Sequence, residues 1–100
     1  MIAIVDFHVA PADQPRALEV LSADGATATG AVPGCLAFRV FANHGDATHV
    51  GLMHEWDGPD ALAAYLGSDH FAKIGSVLRP MMKGPPVSRR FEATLVETAR

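Results

Sequence analysis

The stretch Thr48–Phe71, THVGLMHEWDGPDALAAYLGSDHF, decides the fold. Successive side chains of a strand point to opposite faces, so Val50, Leu52, His54 and Trp56 share one side, which is apolar apart from His54. His49, Gly51, Met53, Glu55 and Asp57 lie on the other, too mixed for a plain core and too apolar for plain solvent. The strand is therefore expected to make contacts on both sides. A double helix start follows the Trp. Asp57 can cap the first helix, Pro59 fits its opening turn, and Asp60 puts negative charge near the positive end of the helix dipole. Leu62, Tyr65 and Leu66 recur at helical spacing until Gly67 breaks the run. Ser68 is the next cap, and Asp69, His70 and Phe71 open a second helix.

Upstream, Met1–Ala10 alternates as a strand, with Ala3, Val5, Phe7 and Val9 opposite Ile2, Ile4, Asp6 and His8. Asp6 and His8 share a face that can also reach His49. Pro11 ends this strand, Asp13 caps a helix with Pro15 in its first turn, and Ala17, Leu18, Leu21 and Ala28 carry the helical period, with Gly25 weakening the later half. Val32-Pro33-Gly34 is a turn. Cys35–Ala42 is a strand in which Leu36, Phe38 and Val40 oppose Ala37, Arg39 and Phe41, and Asn43–Asp46 is a hairpin loop. Downstream, Met81–Pro86 cannot continue a regular element, and Val87–Val96 is expected as the last strand.

The order is strand, helix, strand, strand, helix in two pieces, strand. It predicts an α+β, ferredoxin-like βαββαβ fold in which helices cover one face of a four-stranded antiparallel sheet. The second face would hold Ile2, Ile4, Phe41 and Met53, too much apolar surface for water, so a homodimer closed sheet to sheet into an α+β barrel is expected.

A chain of 100 residues is one domain, 1–100, and 49% hydrophobic against 19% charged is rich for so small a core. The net charge of -3 gives no basic footprint, which speaks against nucleic acid and anionic membrane. No apolar run approaches the roughly 20 residues of a membrane span, and Met1 leads into a strand rather than a charged leader, so the cytoplasm is the expected location. The single cysteine, Cys35, rules out an internal disulfide and reads as a core thiol. None of the five histidines pairs at i, i+4, and His54-Glu55 lacks the second His of a zinc protease motif, so no metal site is expected.

Glu55-Trp56, Ala61-Leu62 and Ser68-Asp69-His70-Phe71, preceded by Val32-Pro33-Gly34-Cys35-Leu36, together resemble the antibiotic biosynthesis monooxygenase family and its quinol monooxygenase members. The resemblance runs from Ile2 to about Val96. It implies a dimeric barrel and oxidation of a phenolic, quinol or polyketide-like aromatic substrate by dioxygen without a bound cofactor. Polyketide-oxidising members have Asn and Tyr where this chain has Leu52 and Leu62. The heme-degrading branch has its axial His at or near Gly75, where nothing here could ligate iron.

The expected pocket lies between the sheet and its own helices. Val5, Phe7, Phe38, Leu52 and Phe91 would form its walls, and His54, Trp56, Tyr65 and His70 would be the directed groups near it. His54 is the first choice for a base that makes the substrate an anion, with Tyr65 and His70 as further catalytic candidates. Trp56 is expected as a wall whose indole N–H could orient a substrate oxygen. Two other functions fit the same residues: a non-catalytic binder of a small hydrophobic molecule, and an isomerase or lyase in which His54 or His70 shuttles a proton.

Overall fold

A computed structural model describes all residues, Met1–Arg100. Four strands, β1 (Ile2–His8), β2 (Cys35–Phe41), β3 (His49–Trp56) and β4 (Val87–Phe91), form one antiparallel sheet in the order β2-β3-β1-β4. Helices α1 (Gln14–Ala31), α2 (Pro59–Leu66) and α3 (Asp69–Leu78) connect them. This is the expected ferredoxin-like order, with the two central strands supplied by β1 and β3. No helix is long and apolar enough to cross a membrane.

The alternation read from β1 and β3 holds. Ala3, Phe7, Val50, Leu52, His54 and Trp56 are all buried on the helix side, where they meet Ala17, Leu21 and Ala28 of α1, Leu62 and Tyr65 of α2, and Leu78 of α3. Ser68 caps α3, its hydroxyl accepting from the Phe71 amide at 3.1 Å. Asp57 does not cap α2. Gly58 takes that position, and glycine has no side chain with which to cap; Pro59 fills the first turn, where its missing N–H costs no helix hydrogen bond. Asp13 likewise precedes α1 without a capping bond, since the chain enters through a 3-10 turn at Pro11–Asp13.

Three departures from the expected elements have local causes. Helix α1 runs through Gly25 to Ala31, because the bare backbone of Gly25 is where the Phe38 ring packs against the helix. Strand β2 carries a bulge at Leu36, so that Cys35 pairs with Trp56 and Ala37 with Glu55. The extra residue turns Leu36 out to 57% exposure and sends Cys35 into the core in its place, where burial pushes the thiol pKa up. The preceding turn needs Gly34, whose φ of 81° suits glycine and whose Cα sits where a Cβ would come within 2.6 Å of the Ala61 methyl. Strand β4 stops at Phe91, short of the expected Val96, and the residues beyond it have no regular structure.

The register of β4 also settles its faces. Ala3 pairs with Arg90 and Val5 with Ser88, while Ile2 pairs with Phe91 and Ile4 with Arg89. Phe91 therefore lies on the open side of the sheet with Phe41 and Val87, all exposed, and not on the helix side where a pocket wall was expected. One polar cluster interrupts this open face. His49 Nε2 meets Asp6 Oδ1 at 2.7 Å, and its Nδ1 accepts from the Asn43 amide at 2.8 Å. The anticipated neighbourhood of Asp6, His8 and His49 thus forms, as a bonded and buried histidine. No three His, Cys, Asp or Glu side chains gather as metal ligands anywhere in the fold.

Candidate active site

Between the sheet and α2–α3 lies a cavity of about 480 Å³. Its closed end is built from Val5, Phe7, Leu52, His54, Leu62 and Tyr65, and its mouth from exposed residues around Gly84–Pro86, Ser88 and Arg90. Of the residues expected at the site, His54, Tyr65, Val5, Phe7 and Leu52 line it directly. Trp56 and Phe38 stand behind the lining, on either side of His54. The Phe38 ring stacks on the imidazole with centroids 5.6 Å apart, and the Trp56 ring meets it edge-on at the same distance. Trp56 is 1% exposed and lies 4.9 Å from the Tyr65 ring, so it acts as packing and support rather than wall.

The indole also fixes the state of His54. Trp56 Nε1 donates to His54 Nδ1, and an indole nitrogen can only donate. The imidazole must therefore keep a lone pair on Nδ1 and carry its single proton on Nε2. Burial first, and the charge of Arg90 second, bring the His54 pKa down from 6.5 to about 4, so the ring is neutral at physiological pH. A neutral ring with Nδ1 occupied presents an N–H donor to the cavity. His54 lines the cavity, and in this tautomer its free ring nitrogen is an N–H donor.

The second directed group is Tyr65. Its hydroxyl donates to Asp24 Oδ2 at 3.1 Å, while Asp24 Oδ1 faces His70 Nε2. His70 is reached through Asp24, at the first turn of α3 and half-exposed, and does not line the cavity. Burial, then the Asp24 charge and hydrogen bond, push the Tyr65 hydroxyl well above its ordinary value. Asp24 is 3% exposed in the middle of α1 and had no place in the expected site. A signal for it existed. Position 24 lies three residues after Leu21 and four before Ala28, within the same buried stripe, and a carboxylate there needs buried partners.

The family profile for antibiotic biosynthesis monooxygenases matches residues 1–75, a span that includes β1 to β3, Trp56, Tyr65 and the Ser68–Phe71 helix start. The chain belongs to the antibiotic biosynthesis monooxygenase family. Solved structures with this fold include a protein of Caulobacter crescentus CB15 with a provisional antibiotic biosynthesis monooxygenase name, 23% identical, covering 94% of this chain and 89% of its own, at a TM-score of 0.86. Another is a Nitrosomonas europaea protein with the same provisional name, 16% identical, covering 94% and 98%, at 0.85. A third is Rv0793 of Mycobacterium tuberculosis, 21% identical, covering 98% and 97%, at 0.80. At these identities the likeness is one of fold. No curated protein matches the chain.

Proposed function

We propose that this family member is a cofactor-independent monooxygenase that oxidises a small phenolic or quinol aromatic with dioxygen. What supports the reading is a largely apolar cavity whose closed end holds a neutral N–H donor and a hydroxyl backed by a buried carboxylate. A phenol bound with its oxygen between His54 and Tyr65 meets both functions it needs. Its O–H proton passes to Tyr65 Oη as Tyr65 hands its own proton to Asp24 Oδ2, so the tyrosine never becomes the anion that its surroundings disfavour. His54 Nε2–H then donates to the phenolate oxygen, the arrangement that stabilises charge developing there. The electron-rich ring gives one electron to dioxygen, and the radical pair joins at a ring carbon that bears a hydrogen, para to the oxygen in a phenol and ortho to it in a quinol. The proton stored on Asp24 returns through Tyr65 to this peroxide. Loss of the hydrogen on that carbon breaks the O–O bond, giving quinone and one water for each phenol and dioxygen consumed. His70 faces the far oxygen of Asp24 and positions the carboxylate for this exchange.

The test is aerobic incubation with a panel of naphthols and hydroquinones, following dioxygen uptake and quinone absorbance. Asp24→Asn keeps a carbonyl to accept from Tyr65 but cannot store the proton. It is expected to lower kcat about a hundredfold, in the range typical of a lost acid–base group, with substrate affinity little changed. Binding without dioxygen uptake across the panel would make the protein a carrier. Turnover that persists under argon would make it a proton-shuttling isomerase or lyase.

The same proposal includes a dimer. Phe41 at 39%, Val87 at 58% and Phe91 at 44% exposure form an apolar patch on the open sheet face beside Ile4 and Met53. Light scattering is expected to give twice the 10.6 kDa chain mass, and Phe91→Glu to shift it towards the monomer.

A further inference from the structure

The cavity has a charge that the proposed oxidation does not use. Arg79 and Arg90 both line it, and none of the other lining residues is Asp or Glu. Neither arginine is paired within the protein: the ion pairs join His49 and Arg89 to Asp6, and His70 to Asp24. In a chain of net charge -3, an unpaired cationic pair on a wall free of carboxylates runs against the average surface. The two come from unrelated elements. Arg79 follows α3 and lies back across Gly75, where a Cβ would sit 3.4 Å from its Nη2, so the missing side chain lets the guanidinium lie along the cavity wall. Arg90 is on β4, opposite Ala3, which pairs on its other side with His54. The helix-side face of the sheet therefore carries Arg90 two strands from His54, and its charge is one of the causes that keep His54 neutral.

We infer that Arg79 and Arg90 form a carboxylate-binding site at the mouth of the cavity, and that the preferred guest is an aromatic acid, held ring inward with its carboxylate between the two guanidiniums. Guanidinium matches carboxylate in a fork geometry, and a cleft lined by one sign of charge concentrates the opposite sign. Apolar walls accept the ring, while the mouth, exposed and cationic, leaves the carboxylate partly hydrated and so spares most of its desolvation. The guest's phenolic oxygen is then directed to the closed end, towards His54 and Tyr65. The inference rests on reading this cavity as the substrate site, but its test does not require turnover.

Oxygen-free protein is titrated with 5-hydroxy-1-naphthoate, whose hydroxyl and carboxylate stand at opposite ends of the ring system, its methyl ester and 1-naphthol. The acid is expected to bind about tenfold more tightly than the ester, an advantage that shrinks as salt is raised. Arg79→Gln and Arg90→Gln are each expected to remove most of that advantage while leaving ester binding within about twofold. An acid no tighter than its ester in the unaltered protein overturns the site, as do variants that weaken both ligands equally. Tight, arginine-dependent binding of the acid without dioxygen uptake upholds the site and sinks the oxygenase. Equal turnover of acid and ester does the reverse.

Discussion

Trp56→Ala is expected to destabilise the fold by about 3–5 kcal/mol, the usual cost of deleting a large aromatic from a packed core. The ring is 1% exposed and packs with Ala3, Ala28, Cys35, Leu62 and Tyr65, residues drawn from two strands and two helices. Deleting it opens a void where α2 meets the sheet. The same change strips His54 Nδ1 of its donor and leaves a buried lone pair unpaired, a cost of about 1–3 kcal/mol by itself. Trp56→Phe separates these contributions, since it keeps most of the volume and removes the N–H. Against a total stability of about 5–15 kcal/mol for a domain of this kind, the alanine change consumes a large share. Urea denaturation should show a midpoint drop for the alanine variant well beyond that of the phenylalanine variant. A loss under about 1 kcal/mol for Trp56→Ala would mean that the indole is not the packing centre of this half of the core.

Trp56, His54 and the helix start at Ser68 were legible because each is fixed by nearby residues. Alternation in β3 sets the first two on one face, and Ser68 caps through an amide three residues on. What the sequence concealed depends on distant pairing. Strand β4 reads VSRRF, with an arginine on each face, so its own pattern cannot say which side Phe91 takes; Ile2, at the other end of the chain, decides it. Leu36 is turned outward by a bulge whose cause is the alignment of Cys35 with Trp56 across two strands. Asp24 looks like an ordinary polar residue in a helix until α2 and α3 bring Tyr65 and His70 against it. The tautomer of His54 was hidden for a subtler reason. Proximity suggested a base, but the tautomer depends on which ring nitrogen the indole meets, and that is set by side-chain geometry rather than spacing.

That tautomer gives the protein an acid sensitivity. In the unfolded chain His54 takes up a proton near pH 6.5, whereas in the folded protein it does so only near pH 4. Between these values the unfolded state holds more protons, so falling pH favours unfolding. The stabilisation is fully present above pH 6.5, is lost progressively on the way down, and is gone once the folded ring also titrates near 4. The interval corresponds to roughly 3 kcal/mol at most, an upper value because the ring lines a cavity that water can enter. His54→Gln, whose amide oxygen can still accept from Trp56, is expected to flatten the pH dependence of the urea midpoint between 4 and 6.5 relative to the unaltered protein. Parallel slopes would show that burial is not holding the imidazole neutral. The same low pKa bears on catalysis, because a ring that stays neutral below pH 6 cannot produce an activity limb at 6.5. A limb at that value, abolished by His54→Gln, would mean that the imidazole exchanges protons with water in the working enzyme and acts as a base after all. Its absence leaves His54 as a donor and Asp24, reached through Tyr65, as the group that takes the proton.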